Sequence, residues 1–267
     1  MIASLGMYDR AETAGPNDRF WAQIAKALRA QGLKAPEVLT RGPAAYWPAW
    51  EAPSLVLSQT CGFPFRARLR DRVALVATPD YGIEDCPVGY YASVFVARAD
   101  DARTLPEFRT ARFAFNEGLS QSGWAAPQNH AATMGFQFPP SLETGAHLLS
   151  ALAVAEGRAD LAAIDALTWR MIQRWEPMAA NLREVARTAP TPGLPFIAAK
   201  GADTEAVFQA LVTAVDRLSP EDRDALSLRG IVRIAAERYL AVPIPPSPEQ
   251  IARSDKPNYP KPPANGL

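Results

Sequence analysis

The stretch Phe113-Ala-Phe-Asn-Glu-Gly-Leu-Ser-Gln-Ser-Gly-Trp124 admits few architectures. Residues 111–115 are apolar and read as a buried strand that stops at a turn containing Gly118. Ser120, Gln121 and Ser122 then precede Gly123 and an Ala-rich segment that can be helical. A strand running into such a helix start makes an oxyanion cradle: hydroxyls and unpaired backbone N–H groups converge, and the helix dipole favours a negative ligand. Gly123 would let that ligand approach the backbone. Taken alone, the stretch serves equally well as an ordinary Ser N-cap.

The rest of the chain alternates strands and helices, which implies an α/β fold with largely parallel sheets. Strands are expected at 2–7, 38–40, 54–58, 73–77, 90–98, 159–164, 182–186 and 196–199. Helices are expected after a cap at Asn17 or Asp18, with Gly32 as the stop, and over 144–157 with Thr144 as N-cap. Two more, 204–218 and 226–240, close the fold. Eight of the 25 prolines fall between Pro243 and Pro263, so the last ~25 residues read as an extended tail. No repeat with a fixed period is visible.

Composition narrows the function classes. Lys+Arg and Asp+Glu both number 28 in 267 residues, and no basic run occurs, which argues against nucleic-acid binding. No apolar run is long enough for membrane insertion. The first residues look like a strand of the fold, not a leader, so the chain is expected to stay in the cytoplasm or to have lost an export signal. Cys61 and Cys86 are too few for a Cys-built zinc site; they either pair or remain two buried thiols, the reading favoured for a cytoplasmic chain. Nucleotide-loop and metal-ligand spacings are absent, so neither cofactor nor metal is expected.

Catalytic constellations are thin. Residues 118–122 miss the G-x-S-x-G elbow by one position, because the needed glycine arrives at 123. Ser120, His147 and Asp165 offer a hydrolase triad, but no spacing rule brings them together. His147, in the first turn of its helix, is expected to be neutral, as a ligand donor or as a plain histidine.

Four motifs in order change the balance: residues 91–98, Ser120 to Gly123, Gly145-Ala-His147, and residues 157–165. Together they resemble the phosphonate/phosphate substrate-binding proteins of ABC transporters, whose type II periplasmic-binding fold joins two α/β lobes by two crossing hinge strands. The resemblance implies lobe I at 1–90 plus 191–240, lobe II at 91–190 and a Pro-rich tail at 241–267. It implies that Ser120, Gln121, Ser122 and Gly123 hold anionic oxygens and that His147 donates to the same group. Tyr91 and Asp165 would read the rest of the ligand, while Tyr8, Ser58, Gln59 and Thr60 face it from lobe I. In the family's phosphonate binders the middle cradle position carries a smaller hydroxyl residue than Gln121. With no Lys or Arg in the matched cradle, dipoles and hydroxyls alone would hold the anion.

The expected function is capture of a small oxyanion-bearing ligand, phosphate- or phosphonate-like, between two lobes for uptake through an ABC permease, in the periplasm and without catalysis. The rivals are a cytoplasmic lyase or pyrimidine-forming enzyme, or a ligand sensor, on the same fold.

Overall fold

A computed structural model describes residues 1–254. Its strands, in chain order, are β1 (Ile2–Ser4), β2 (Leu55–Gln59), β3 (Val73–Asp80), β4 (Tyr90–Tyr91), β5 (Ser93–Arg98), β6 (Phe113–Phe115), β7 (Pro140–Glu143), β8 (Leu161–Asp165), β9 (Leu182–Arg187), β10 (Thr191–Pro192), β11 (Phe196–Ala199) and β12 (Gly230–Val232). They form two five-stranded sheets, β1-β2-β11-β3-β12 and β7-β6-β8-β5-β9, joined by the pair β10-β4. Thr191 pairs with Tyr91 and Pro192 with Tyr90, antiparallel, where the chain crosses between the sheets. These are the two crossing hinge strands expected of a two-lobed fold.

The sheets are mixed, which corrects the expectation of largely parallel pairing. β1 runs parallel to β2, and β6 parallel to β7 and β8. β11 is antiparallel to β2 and β3, and β5 antiparallel to β8 and β9. β5 and β11 are the strands entered straight from the crossing pair, so each arrives against the direction set by its sheet's strand–helix units.

The second sheet is covered on both faces. Along β5, Val94 and Val96 enter one apolar cluster, with Ala162 and Ile164 of β8. Phe95 and Ala97 enter the other, with Leu161 and Ala163. This is the period-two alternation of a strand buried on both sides. The helices Ala11–Ala30 and Thr204–Asp216 cover the first sheet, packing Phe20, Trp21 and Leu28 with Val207, Leu211 and Leu57.

Several local expectations shift. The first helix starts at Ala11, where Arg10 N–H donates to Thr13 Oγ1 at 3.0 Å, and passes through Pro16, Asn17 and Asp18. Residues 38–40 form no strand; Thr40 N–H makes one bond to Ala3 O. The helix containing His147 spans His147–Ala155 behind Ala146, because Gly145 sits at φ +85° and breaks any helix from Thr144. Thr144 Oγ1 instead meets Ser150 Oγ at 2.7 Å. The helix expected over 226–240 is a helix Pro220–Leu226, strand β12 on the edge of β3, and a helix Ala236–Leu240.

The tail's described part is packed. Trp124 Nε1 donates to Pro246 O, Asn129 Nδ2 to Pro243 O, and Ile251, in the helix Pro248–Ser254, is buried against the second sheet's core. Residues 255–267 of the expected tail lie outside the described residues.

Candidate functional site

After β6 the chain turns through Asn116 to Leu119 and reaches Ser120, whose Oγ accepts from Gly123 N–H at 2.9 Å. The opening turn is widened: Ala125 N–H reaches back to Ser120 O at 2.9 Å before the regular helix Ala126–Thr133 begins, with Pro127 in its first turn. Such widened turns concentrate at functional sites. Gly123 is required by a side chain. A Cβ there would lie 1.9 Å from Asn116 Oδ1, so Asn116 fills the approach that the sequence assigned to a ligand.

Ser122, 2% exposed, points across to His147, with Oγ and Nε2 2.9 Å apart. His147 opens its helix, and its Nδ1 makes no hydrogen bond of full geometry, the ring having only a weak contact with the Ala163 backbone besides Ser122. Burial lowers its pKa to about 4, with the Ala163 backbone opposing, so the ring is neutral at pH 7. The cause is burial, where the sequence pointed to the helix dipole.

Asp165 closes β8 and caps the helix Ala166–Trp175, its Oδ1 accepting from Thr168 N–H at 2.9 Å. Its Oδ2 accepts from Tyr8 OH at 2.9 Å, a bond from the loop after β1 to the end of β8. Burial pushes the Asp165 pKa up to about 6, its hydrogen bonds to Thr168 and Tyr8 opposing. The Tyr8 and Tyr91 hydroxyls are held well above the ordinary tyrosine range by burial, with neighbouring charges adding.

From the first sheet, the segment after β2 reaches the same place. Thr60 is fully buried and its Oγ1 has no partner. Cys61 Sγ accepts Gln121 N–H at 3.2 Å and lies 4.0 Å from Tyr91 OH. Arg66 Nη1 donates to Gln121 Oε1 at 2.5 Å and Nη2 to Pro243 O at 3.1 Å, while Nε has no partner. Arg66 is 6% exposed and forms no ion pair among the described residues; burial lowers its pKa to about 10, which leaves it cationic. Cys61 and Cys86 are both free thiols.

Tyr8 and His147 line a cavity of about 820 Å³, together with Tyr46, Trp47, Asn116 and Glu117. Ser122 and Asp165 lie buried immediately behind, each touching one of the two lining residues. The structure thus links Tyr8 to Asp165, Ser122 to His147, and Gln121 to Cys61 beside Tyr91, with Ser120 and Gly123 supporting the turn; Thr60 precedes Cys61 in the chain, and its hydroxyl bonds none of them. The structure does not bring in the side chain of Ser58, whereas Gln59 lines a small pocket with Tyr8 and Tyr81. Ser58 Oγ bonds Ser4 Oγ and Trp50 Nε1, and Gln59 Nε2 donates to Tyr81 OH and Leu194 O. No hydrolase triad forms: Ser120 caps its own helix, and His147 meets Ser122. Sequence reasoning missed Arg66, Asn116 and Glu117. The last two lie inside the quoted stretch, directly after its strand; Arg66 has no local sequence signal.

Comparison with protein-family models matches residues 58–238 to "ABC transporter, phosphonate, periplasmic substrate-binding protein". Comparison with curated proteins gives no match. Among solved structures, PhnD1 from Prochlorococcus marinus in complex with methylphosphonate is similar at 18% identity and TM-score 0.69, covering 95% of this chain and 97% of that one. An ATP-bound protein from Xanthomonas citri is similar at 16% identity and TM-score 0.66, with the same coverage. The binding-protein component of an ABC phosphonate transporter from Pseudomonas aeruginosa gives 14% identity and TM-score 0.64, covering 86% of this chain and 80% of that one. At these identities the structures establish the two-lobed fold, and the family match covers more than half of the chain. No helix among the described residues is long and apolar enough to cross a membrane. The chain belongs to the periplasmic substrate-binding proteins of phosphonate ABC transporters, a family of solute binders and not of enzymes.

Proposed function

We propose that the protein captures a small phosphate- or phosphonate-like oxyanion where its two lobes meet, lobe I being residues 1–90 plus 191–240 and lobe II residues 91–190. Ser122, His147, Gln121 and Tyr91 bind the anionic oxygens, Thr60 and Tyr8 reach them from lobe I, and Ser120 and Gly123 hold the turn in place. Asp165 accepts a proton-bearing group of the same ligand. Arg66 supplies the positive charge, acting behind Gln121.

The observation that carries this reading is the set of buried polar atoms left without partners on the segments that meet here: Thr60 Oγ1, Arg66 Nε, Asn116 Oδ1 and His147 Nδ1. A buried polar group costs free energy unless it is hydrogen-bonded, and a buried cation costs more unless it is paired. Asn116 and His147 of this set line the cavity, and a partly protonated phosphate or phosphonate, which both donates and accepts hydrogen bonds, suits an acceptor beside donors. Arg10 also lines the cavity, where Glu12 and Glu176 neutralise it. The family supports delivery to an ABC permease and a periplasmic location.

Calorimetric titration of ligand-free protein with phosphate, methylphosphonate, sulfate and acetate tests the reading. Saturable binding of a phosphate or phosphonate, tighter than that of acetate, is expected. Absence of binding by all four at millimolar concentration contradicts it.

A further inference from the structure

The helix Ala166–Trp175 has a second polar face. Thr168 and Met171 line the cleft already described, while Arg170, Met171 and Arg174 line a separate cavity of about 490 Å³. The opposite wall comes from the first sheet's side of the molecule: Arg223, Asp224, Ser227, Leu228 and Arg229, at the end of the helix Pro220–Leu226 and just beyond it. Leu226 and Leu228 anchor that wall in the first sheet's core, and Leu167, Met171 and Ile172 anchor the helix in the second. Four guanidinium groups therefore converge on one crevice from both halves of the molecule, and Asp224 is the one acid in its lining.

The charge is only partly neutralised. Arg174 pairs with Asp224 at 2.8 Å, and Arg223 donates to Val215 O at 2.6 Å with Asp216 3.8 Å away. Arg170 spends its donors on two backbone carbonyls, Tyr81 O and Gly82 O, each at 2.9 Å. Arg229 packs on the same segment so closely that a Cβ on Gly82 would lie 2.0 Å from its Nε. Among the described residues neither Arg170 nor Arg229 forms an ion pair. Burial, and then the neighbouring Arg229 and Arg187, lower the Arg170 pKa, with Glu84 opposing. The fold thus seats two unpaired cations side by side across the seam, at a cost that an anion placed between them removes.

We propose that this crevice is a second binding site, distinct from the cleft, that takes a small polyanion carrying two or more phosphate-like groups. Guanidinium forks suit phosphate oxygens, and charges from both walls require a ligand with more than one anionic group. Because the walls belong to different halves, the polyanion bridges them and favours the closed arrangement that grips the cleft ligand.

Isothermal titration of the full chain with inorganic tripolyphosphate, alongside orthophosphate, tests this. Wild type is expected to bind tripolyphosphate, and Arg229→Gln, with Arg174→Gln as a second exposed variant, to weaken it about tenfold or more. Ser122→Ala, which alters the cleft, is expected to leave tripolyphosphate affinity unchanged while reducing that of orthophosphate. The proposal is overturned if wild type gives no tripolyphosphate binding at millimolar concentration, if both arginine variants bind it as wild type does, or if Ser122→Ala abolishes it. The orthophosphate arm reports on the cleft separately, so failure of one site is not mistaken for failure of the other.

Discussion

Ser122 Oγ and His147 Nε2, 2.9 Å apart, join the first turns of two helices that follow two adjacent parallel strands, β6 and β7. Each strand delivers one polar side chain to the same sheet edge, where α/β folds place their ligands. With His147 neutral, the pair offers hydrogen bonds without adding charge, so an anion held there depends on donors and on the buried Arg66 behind Gln121.

Replacing Ser122 with Ala removes one ligand hydrogen bond and leaves His147 Nε2 without its partner. Oxyanion affinity is expected to fall by about 1–3 kcal/mol, and folding stability by a comparable amount, because His147 Nε2 is left buried and unpaired. Parallel calorimetry and thermal melting of the variant check this; unchanged affinity contradicts the role of Ser122.

Arg66→Gln removes the charge but keeps a polar group against Gln121. It is expected to reduce affinity for a dianion more than for a monoanion, and Arg66→Lys to recover part of the difference. The stability of the ligand-free variant should hold or rise, because a buried unpaired cation is costly. Titration with phosphate at pH 6 and pH 8 separates the two charge forms. Equal losses at both pH values would make Arg66 merely structural.

Asp165 and His147 give opposite pH signatures. The Asp165 pKa is raised to about 6 from an ordinary 3.8, so between these values the folded state binds the proton that the unfolded state has released, and stability falls as pH rises. The His147 pKa is lowered to about 4 from 6.5, so across that window the unfolded state binds the extra proton, and stability rises with pH. Each effect amounts to about 3 kcal/mol, and the two largely offset between pH 4 and 6. Relative to wild type, Asp165→Asn should lose stability on acidification from pH 6 to 4, and His147→Asn should gain it. Urea unfolding across this range checks the signs; the same pH slope in all three proteins contradicts the burial of both groups.

Gly123→Ala places a methyl group against Asn116 Oδ1 and should destabilise the fold by about 1–3 kcal/mol. Adding Asn116→Ala should restore much of the loss, a coupling expected of residues in contact. A double-mutant cycle by urea denaturation measures it, and additive losses would contradict the contact.

Much of this architecture is legible in the sequence where a local pattern encodes it. The apolar run of β5, the strand-to-helix turn at Ser120 and the acid closing β8 are visible because neighbouring residues carry the signal. What escapes is non-local. Residues 90–98 look like one strand, yet β4 pairs with β10 between the sheets while β5 lies inside the second. Thr144 looks like a cap, yet its hydroxyl is drawn to Ser150 and Phe115 O. The prolines from Pro243 onward suggest a free tail, but carbonyls of Pro243 and Pro246 accept bonds from Arg66, Asn129 and Trp124. Arg66 gains its meaning only from Gln121, 55 positions away.

A crystal structure of the protein grown with methylphosphonate tests the central claim most directly. The account predicts phosphonate oxygens within hydrogen-bonding distance of Ser122 Oγ and Thr60 Oγ1, with Arg66 retained against Gln121 and both lobes in contact with the ligand. A phosphonate bound away from Ser122 and His147, or a cleft that stays empty at saturating concentration, would contradict it.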